Sequence, residues 1–292
     1  MSAPDGLLVI DKPSGWTSHD VVGRGRRLAR TRKVGHAGTL DPMATGVLVL
    51  GIGRATRLLG HLTLTTKAYD ATIRLGATTV TDDAEGEVLV RTDAGPVTDA
   101  ALVAAVLALT GELMQVPSAV SAIKVDGVRS YARVRKGEDV ALAARPATVS
   151  VFEVLARRGD DVDVRVEVSS GTYVRALARD LGAALGVGAH LTALRRTRVG
   201  PFSLADAHAL EALAAGEDVV DRAVLPLDAA VAQALPRRDL TPDEAVDLSY
   251  GKRLGPSGRP DVLGACAPDG SCVALVQDAD GAARPTVVFR PA

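Results

Sequence analysis

The stretch DVDVRVEVSSGTYVRALARDLGAAL, residues 161–185, predicts a β-strand that runs directly into an α-helix. Valine occupies every second position from 162 to 168, which is typical of a strand with one buried face. A Ser-Ser-Gly turn at 169–171 ends the strand, and Tyr173 and Arg175 stand where the helix begins. Side chains at such a junction are held by two rigid elements, so we regard both as candidate functional residues.

Strands and helices are intermixed along the rest of the chain without the regular alternation of a parallel sheet. The pattern favours a mixed α/β (α+β) fold with a largely antiparallel central sheet and flanking helices. The predicted strands are 7–11, 46–53 and 69–76, the predicted helices are about 19–31, 54–62 and 98–109, and a hairpin is predicted over 121–129 with its turn at Asp126-Gly127.

The amino-acid composition changes after about residue 225, where proline and acidic residues become frequent. Short strands are predicted at about 261–267, 272–278 and 285–290. We therefore predict two domains, a large one over residues 1–225 and a small β-rich one over residues 226–292.

Several protein classes are disfavoured by composition and motif content. The longest apolar run, residues 100–109, is shorter than the roughly 20 residues that a membrane helix needs. The N-terminus lacks the basic and apolar regions of a signal peptide. Cys266 and Cys272 have no nearby histidine, which is poor zinc spacing, and two cysteines make no disulfide framework. We expect a soluble cytoplasmic protein.

Charge is unevenly distributed although the whole chain has a net charge of only −1. Residues 201–292 carry 8 Lys and Arg against 14 Asp and Glu, whereas residues 1–200 carry 26 against 21. The stretch GRGRRLARTRK (23–33) contains no acid, and LRRTRVG (194–200) adds three arginines. Such clusters are typical of phosphate contacts, although a solvated helix face balanced by acids elsewhere has the same composition.

A single carboxylate, Asp41, lies within GHAGTLDPMATGVLVL (35–50), a stretch otherwise made of small and apolar residues. Three interpretations are open: a turn or cap residue, a metal ligand, or a nucleophile or general base on a loop that approaches a substrate closely. Asp20 and Asp70, the nearest acids, show no ligand spacing, and the acidic stretch TDDAEGE (81–87) is typical of a solvated loop. The small residues around Asp41 are Gly35, Gly38, Thr39, Pro42 and Gly46.

Five blocks of the sequence together resemble the TruB family of pseudouridine synthases. They cover residues 7 to 202 in order and include the long motif G-H-x-G-T-L-D-P-x-A-T-G. The blocks are LLVIDKPSGWTSHDVV, RKVGHAGTLDPMATGVLVL, KAYDATIRLGATTVTDDAEG, VPSAVSAIKVDGVRSYARVRKG and SSGTYVRALARDLG followed by GAHLTALRRTRVGPF.

The resemblance implies an isomerase that converts uridine 55 in the T arm of tRNA to pseudouridine without a cofactor or a metal. Asp41 matches the catalytic aspartate, which attacks the sugar or the base or removes a ribose proton. Arg175 matches the arginine that pairs with that aspartate and keeps it ionised. Tyr69 matches the tyrosine that stacks on the target base, and Tyr173 matches a further active-site tyrosine.

The resemblance also implies that the target nucleotide is flipped out of the folded arm. His36 matches a histidine that fills the space left by flipped bases, and Lys12, Pro13, Gly35, Gly38 and Thr39 would support the catalytic loop. We expect a monomer whose partner is tRNA, with no protein partner. The further residues predicted to contact RNA are Arg24, Arg27, Arg30, Lys33, Arg195, Arg196 and Arg198.

The C-terminal residues would form a PUA-like β domain, although no motif matches there and their acidity argues against strong RNA binding. Two alternatives to the isomerase are a tRNA-binding or folding-chaperone module without catalysis and a carboxylate-dependent nucleoside N-glycosidase. The presence of Asp41, Tyr69 and Arg175 argues against the first. The second would need another acid or a water-activating group, and neither is apparent beside Asp41 in the sequence.

Overall fold

A computed structural model of the chain describes residues 4–120, 124–125, 128–129, 142–215 and 217–292. The chain divides into two compact units. The first unit comprises Met1–Asp41, Val47–Thr63 and Gly200–Ala292, and the second comprises Pro42–Gly46 and Leu64–Val199. This division does not coincide with the predicted boundary at residue 225, because the segments before residue 64 and after residue 199 pack in the same unit.

The described residues form nineteen strands and seven α-helices. The strands are β1 (Gly6–Lys12), β2 (Val34–His36), β3 (Thr45–Ile52), β4 (Lys67–Leu75), β5 (Ala77–Thr79), β6 (Val88–Arg91), β7 (Gly111–Gln115), β8 (Lys124–Val125), β9 (Val128–Arg129), β10 (Arg145–Arg158), β11 (Asp161–Val168), β12 (Ala189–Val199), β13 (Phe202–Ser203), β14 (His208–Ala209), β15 (Leu225–Pro226), β16 (Arg237–Asp239), β17 (Leu263–Cys266), β18 (Cys272–Ala279) and β19 (Ala282–Val288). The helices are α1 (Ser18–Leu28), α2 (Leu59–Thr63), α3 (Asp99–Ala108), α4 (Val174–Ala184), α5 (Glu217–Ala223), α6 (Leu227–Ala234) and α7 (Pro242–Ser249).

The second unit is built on an antiparallel sheet with the strand order β12-β4-β11-β10-β7. Strand β11 confirms the valine pattern, since Val162, Val164 and Val166 are fully buried and Val168 is 1% exposed. Helix α4 follows directly and packs against β12. The predicted hairpin is confirmed by the pairing of β8 with β9, while its turn residues lie outside the described part of the chain.

The first unit contains the strand order β14-β1-β3, with β2 antiparallel to β3. Strands β1 and β3 are apolar throughout their centres, and Leu7, Leu8 and Ile10 are fully buried, as are the residues from Val47 to Leu50. Runs that are apolar on both faces are typical of strands covered on both sides. These two strands therefore form the inner part of the unit.

The C-terminal residues of the first unit contain a four-stranded sheet with the order β16-β17-β18-β19. Its own apolar core includes Leu248, Leu263, Ala274 and Val276, all at most 2% exposed. The predicted small β-rich module is thus present, although it belongs to the first compact unit rather than forming a unit of its own. The mixed α/β fold class with a largely antiparallel sheet is confirmed.

Two predicted helices differ from the observed ones. Helix α1 was expected to reach residue 31 but ends at Leu28, because Arg30 adopts a left-handed conformation with φ of 54° that cannot continue a right-handed helix. The helix expected over 54–62 is instead a 3₁₀ turn, Gly53–Arg57, followed by the short helix α2. Among the described residues, no helix combines the length and the apolar character needed to cross a bilayer.

Candidate active site

Asp41 follows a backbone segment that one buried hydroxyl holds in place. The Ser18 hydroxyl donates to the Leu40 carbonyl oxygen at 3.1 Å and accepts from the Leu40 amide at 2.8 Å. Ser18 is 1% exposed and Leu40 is 4% exposed, whereas Asp41 is half-buried. Because both backbone groups of Leu40 are bonded to α1, the first helix sets the position of the residue before Asp41.

The chain that leads into α1 is held by a buried lysine. Lys12 has no exposed surface, and its ammonium group donates to the Pro13 carbonyl at 2.9 Å and to the Trp16 carbonyl at 2.6 Å. Thr17 then caps α1 through a capping box with Asp20. Through these bonds Lys12 and Pro13 hold the segment that leads into α1. Their predicted role in supporting the loop that contains Asp41 stays a prediction.

His36 stands at the end of β2 beside a second histidine from α1. The rings of His19 and His36 meet edge to face, with centroids 6.0 Å apart and planes at 75°. A cavity of about 420 Å³ adjoins His19. Its lining comprises Gly15, Trp16, His19, Asp20, Gly23 and Arg27. The first unit therefore presents a concave surface with aromatic and basic side chains near the predicted RNA contacts.

The predicted basic contacts differ in their surroundings. Arg27 and Lys33 are exposed and Arg24 is half-buried. Arg30 donates to both carboxylate oxygens of Asp221 at 2.9 and 3.0 Å. This pair shows that part of the cluster is balanced within the protein, and contact with RNA stays a prediction for each arginine.

The arginines of β12 also have protein partners. Arg198 pairs with Glu167 at 2.9 Å, and Arg195 donates to the Thr45 hydroxyl at 3.3 Å. Arg196 is only 1% exposed. Its side chain therefore belongs to the interior of the second unit rather than to its basic surface.

Gly46 is required by close backbone packing. It adopts φ of +97°, and an added Cβ would lie 2.2 Å from the Arg196 carbonyl oxygen. Thr45 and Gly46 pair with Arg195 and Arg196 in parallel register. Close approach of this loop to a substrate was one interpretation of its small residues, whereas at Gly46 the close neighbour is the backbone of β12.

Tyr69 lies in the middle of the second unit's sheet. It occupies β4, is 7% exposed, and stands opposite Arg196 on β12 and Val166 on β11. Lys67, two residues earlier, projects from the same face and is also 7% exposed. Burial, together with the charge of Arg196, lowers the pKa of Lys67 to about 8. Sequence reasoning missed Lys67, although its place two residues before Tyr69 puts both on one face.

Tyr173 is held by a buried glutamine that the sequence analysis did not single out. The Gln115 side chain accepts from the Tyr173 amide at 2.8 Å and donates to the Tyr173 carbonyl at 3.1 Å. Gln115 ends β7 and is 3% exposed. Because Tyr173 precedes the first residue of α4, this amide fixes the start of the helix that carries Arg175.

Arg175 is buried and binds an acidic residue of the same unit. It is 5% exposed, and its guanidinium donates to the Thr81 carbonyl at 2.7 Å and to the Val120 carbonyl at 2.9 Å. Its Nε lies 3.6 Å from Oδ2 of Asp83. Asp83 is 3% exposed, so the prediction that residues 81–87 form a solvated loop is wrong at this position.

A second arginine, one turn later on α4, binds the same loops. Arg179 donates to the Val116 carbonyl at 2.7 Å and lies 3.5 Å from Oδ2 of Asp82. Asp82 also accepts from the Ser118 hydroxyl at 2.7 Å, and burial raises the pKa of its carboxyl group. Helix α4 thus ties together residues 81–83 and 116–120 with two permanent cations.

The second unit therefore offers a buried tyrosine, a buried guanidinium and fixed helix geometry, which suit the binding and polarisation of a flat polar group. The first unit supplies Asp41 on a fixed loop. Within the described part of the chain, no group of three or more histidine, cysteine or acidic side chains has the arrangement to hold a metal ion.

Replacing Ser18 with alanine is expected to lower the free energy of unfolding by about 1–3 kcal/mol, because the amide and carbonyl of Leu40 would lose a buried partner. Denaturant titration of the purified protein measures this. Ser150→Ala is the matched control, since that exposed hydroxyl makes one bond to the Glu167 carbonyl and should matter little. Equal midpoints for the two variants would contradict the role assigned to Ser18.

Gln115→Leu is expected to destabilise the protein by about 1–3 kcal/mol, because it leaves the Tyr173 amide without its partner, while the Tyr173 carbonyl keeps its bond from the Leu177 amide. The control is Gln277→Leu on β18, where the amide is exposed. Urea unfolding midpoints compare the two. If Gln115→Leu unfolds at the wild-type urea concentration, the amide does not hold the start of α4.

Three family models match the chain in sequence. The description TruB family pseudouridylate synthase (N terminal domain) matches residues 26–174, tRNA pseudouridylate synthase B C-terminal domain matches 175–232, and tRNA Pseudouridine synthase II, C terminal, matches 235–290. The chain is similar to the tRNA pseudouridine synthase B of Arthrobacter sp. (strain FB24), with 60% identity over 98% of this chain and 97% of the relative. The corresponding protein of Nocardia farcinica (strain IFM 10152) is 61% identical over 98% of this chain and 94% of the relative.

The fold of the chain is similar to that of solved structures. A chain of a Cbf5-Nop10-Gar1 complex superposes with a TM-score of 0.77 at 28% identity, covering 98% of this chain and 85% of that one. A chain of an H/ACA RNP bound to a substrate RNA containing 2′-deoxyuridine superposes with a TM-score of 0.74 at 27% identity, over 98% and 85%.

Proposed function

The chain belongs to the TruB family of pseudouridylate synthases and isomerises uridine in tRNA to pseudouridine; we propose that its target is the T-loop uridine at position 55. The observation that carries this proposal is the fixed position of the loop that contains Asp41. This loop lies within the motif that resembles the family, and both backbone groups of the preceding residue, Leu40, are bonded to α1. A catalytic carboxylate must be held at a defined place, and this loop provides that.

The reaction breaks the bond between N1 of uracil and C1′ of ribose, turns the base, and joins C5 to C1′; C5 then loses its proton and N1 takes one up, so that the composition is unchanged. It neither oxidises nor hydrolyses anything, so we propose that it proceeds without a cofactor. Asp41 would act as a nucleophile toward the sugar or base, or as the base that takes a ribose proton. Both roles require an ionised carboxylate.

The second unit would receive the uracil ring. Tyr69 would stack on the base and help to remove the C5 proton, and Tyr173 would line the same site. The planar, delocalised guanidinium of Arg175 suits stabilisation of negative charge in the site. The carboxylate observed next to Arg175 is that of Asp83. Pairing of Arg175 with Asp41 stays a prediction.

The target uridine is inaccessible in a folded T arm, so we propose that it is flipped out before reaction. His36 would occupy the space vacated in the arm, and the exposed Arg27 and Lys33 would contact phosphates. We propose that the enzyme acts as a monomer in the cytoplasm, where its tRNA substrate is found.

The decisive experiment incubates an unmodified tRNA transcript with the wild-type protein and maps pseudouridine by carbodiimide treatment and primer extension. We expect one modified position, the T-loop uridine, and none in a control transcript that carries cytidine there. Modification only at other uridines would overturn the T-loop assignment. Tight binding without modification would favour a chaperone module, and release of free uracil would favour an N-glycosidase.

A further inference from the structure

The two cysteines of the chain stand directly opposite each other in the C-terminal sheet. Cys266 ends β17 and Cys272 begins β18, and the two are register partners in this antiparallel pair. They form the last strand pair before the turn at residues 267–271, which is closed by the bond from the Ala267 amide to the Ser271 carbonyl at 2.9 Å. Six positions separate them in sequence, yet the hairpin makes them neighbours.

The backbone bonds of this pair show which kind of cross-strand position it is. The Cys266 carbonyl accepts from the Leu240 amide at 2.9 Å, and the Cys272 amide donates to Asp228 at 2.7 Å. Both groups point away from the partner strand, as in the non-hydrogen-bonded pairs of an antiparallel ladder. Regular pairs of this kind have Cα atoms about 4.5 Å apart, and disulfides span about 4.4–6.8 Å. The register shifts between Ala265 and Cys266, so a bulge lies next to the pair, and Cys266 and Cys272 remain facing partners beyond it.

Both thiols are shielded from solvent. Cys266 is 2% exposed and Cys272 is fully buried. Each thiol donates to a backbone carbonyl of its own strand, Cys266 to Gly264 and Cys272 to Ala274, both at 3.6 Å. The neighbouring Cys272 and the Arg237 guanidinium lower the pKa of Cys266 to about 7. The pKa of Cys272 is raised by the neighbouring Cys266 and by burial. Cys266 is therefore the thiol of the pair that loses its proton more readily, and the thiolate is the form that reacts with oxidants.

We propose that Cys266 and Cys272 are an oxidation site at which hydroperoxides form an intramolecular cross-strand disulfide. The Cys266 thiolate attacks the peroxide and becomes a sulfenic acid, while the leaving hydroxide takes up a proton as water. The Cys272 sulfur then attacks the Cys266 sulfur, forming the disulfide and releasing the hydroxyl group as a second water. Overall, two thiols and one hydrogen peroxide give one disulfide and two waters.

Access to the buried pair comes from its place next to the turn. Pro268 and Asp269 are exposed at the tip of the hairpin, and Gly270 has φ of 84°. Opening of a hairpin end breaks few contacts and costs less free energy than global unfolding. Oxidation is therefore expected in the folded protein, and the disulfide should be reversible with a dithiol reductant.

The test uses the full chain, freed of reductant and treated with hydrogen peroxide at neutral pH. Remaining thiols are then blocked with N-ethylmaleimide in denaturant, and the intact mass is measured. We expect the untreated protein to take two maleimides, and the oxidised protein to take none and to weigh two hydrogen atoms less. Cleavage before aspartate gives the peptides 261–268 and 269–277, which should migrate as one linked species until dithiothreitol separates them.

Two controls keep the result interpretable. Cys272→Ala leaves Cys266 without its partner, so peroxide should give a sulfenic acid or an unmodified thiol and no linked peptides. Wild-type protein unfolded in urea shows that the peroxide is competent. A folded protein that keeps two maleimide-reactive thiols while the unfolded chain oxidises would overturn the proposal. So would a product that is a disulfide-linked dimer or a sulfinic acid.

Discussion

Replacing Asp41 with asparagine is expected to abolish pseudouridine formation while leaving the affinity for tRNA nearly unchanged. Asparagine keeps the size of the side chain but is neither a nucleophile nor a base at neutral pH. Loss of the central catalytic group typically lowers kcat on the order of 10⁴-fold or more. Single-turnover assays with excess enzyme measure the chemical step, and filter binding at constant salt measures the affinity.

The control for Asp41→Asn is Asp243→Asn, which removes an exposed carboxylate at the start of α7 in the same unit. It should modify tRNA at the wild-type rate. Thermal unfolding of both variants shows whether the fold is intact. If Asp41→Asn retained turnover within tenfold of wild type, the carboxylate would not be the reacting group, and the loop around it would serve only to bind RNA.

Those parts of the fold that follow from local pattern were predictable from sequence. The alternating valines of β11 specify a buried face regardless of which strands flank them, and the apolar run of β3 specifies a strand covered on both sides. The cap of α1 was also predictable, because Thr17 and Asp20 satisfy each other within one turn. In each case the deciding interaction lies within a few residues along the chain.

The composition of the site was less predictable, because its contacts join distant segments. Asp83 is followed by Glu85 and Glu87, a pattern typical of a solvated loop, but its cation comes from Arg175 on α4. The other residues of β7 are exposed or half-buried, whereas Gln115 is buried and bonds Tyr173, which lies 58 residues later in the chain. A paired charge or amide so far along the chain leaves no periodic signal.

At Gly46, too, the residue that explains the glycine lies far away in the sequence. The sequence marks a glycine beside a candidate catalytic loop, and approach of a substrate is one reason for it. The structure supplies another reason, the Arg196 backbone 2.2 Å from where a Cβ would stand. Sequence identified the requirement for a small residue but not the neighbour that imposes it.

Arg175→Met is expected to impair both stability and turnover, and the two effects have separate causes. Removing the guanidinium leaves the buried carboxylate of Asp83 without its cation, which typically costs about 3–5 kcal/mol of unfolding free energy. It also removes the donor to the Thr81 and Val120 carbonyls. If the guanidinium acts in the reaction as proposed, kcat should fall at least ~100-fold, with tRNA affinity changed far less.

The double variant Arg175→Met with Asp83→Asn separates these causes. Asparagine at position 83 is neutral and can still accept from the Glu85 amide, so the double variant should recover part of the stability lost in Arg175→Met. Turnover should stay low, because no cation has been restored. Turnover that rises in step with the unfolding midpoint would show instead that Arg175 serves only to hold the loops against α4, and that the charge stabilising the reaction comes from elsewhere.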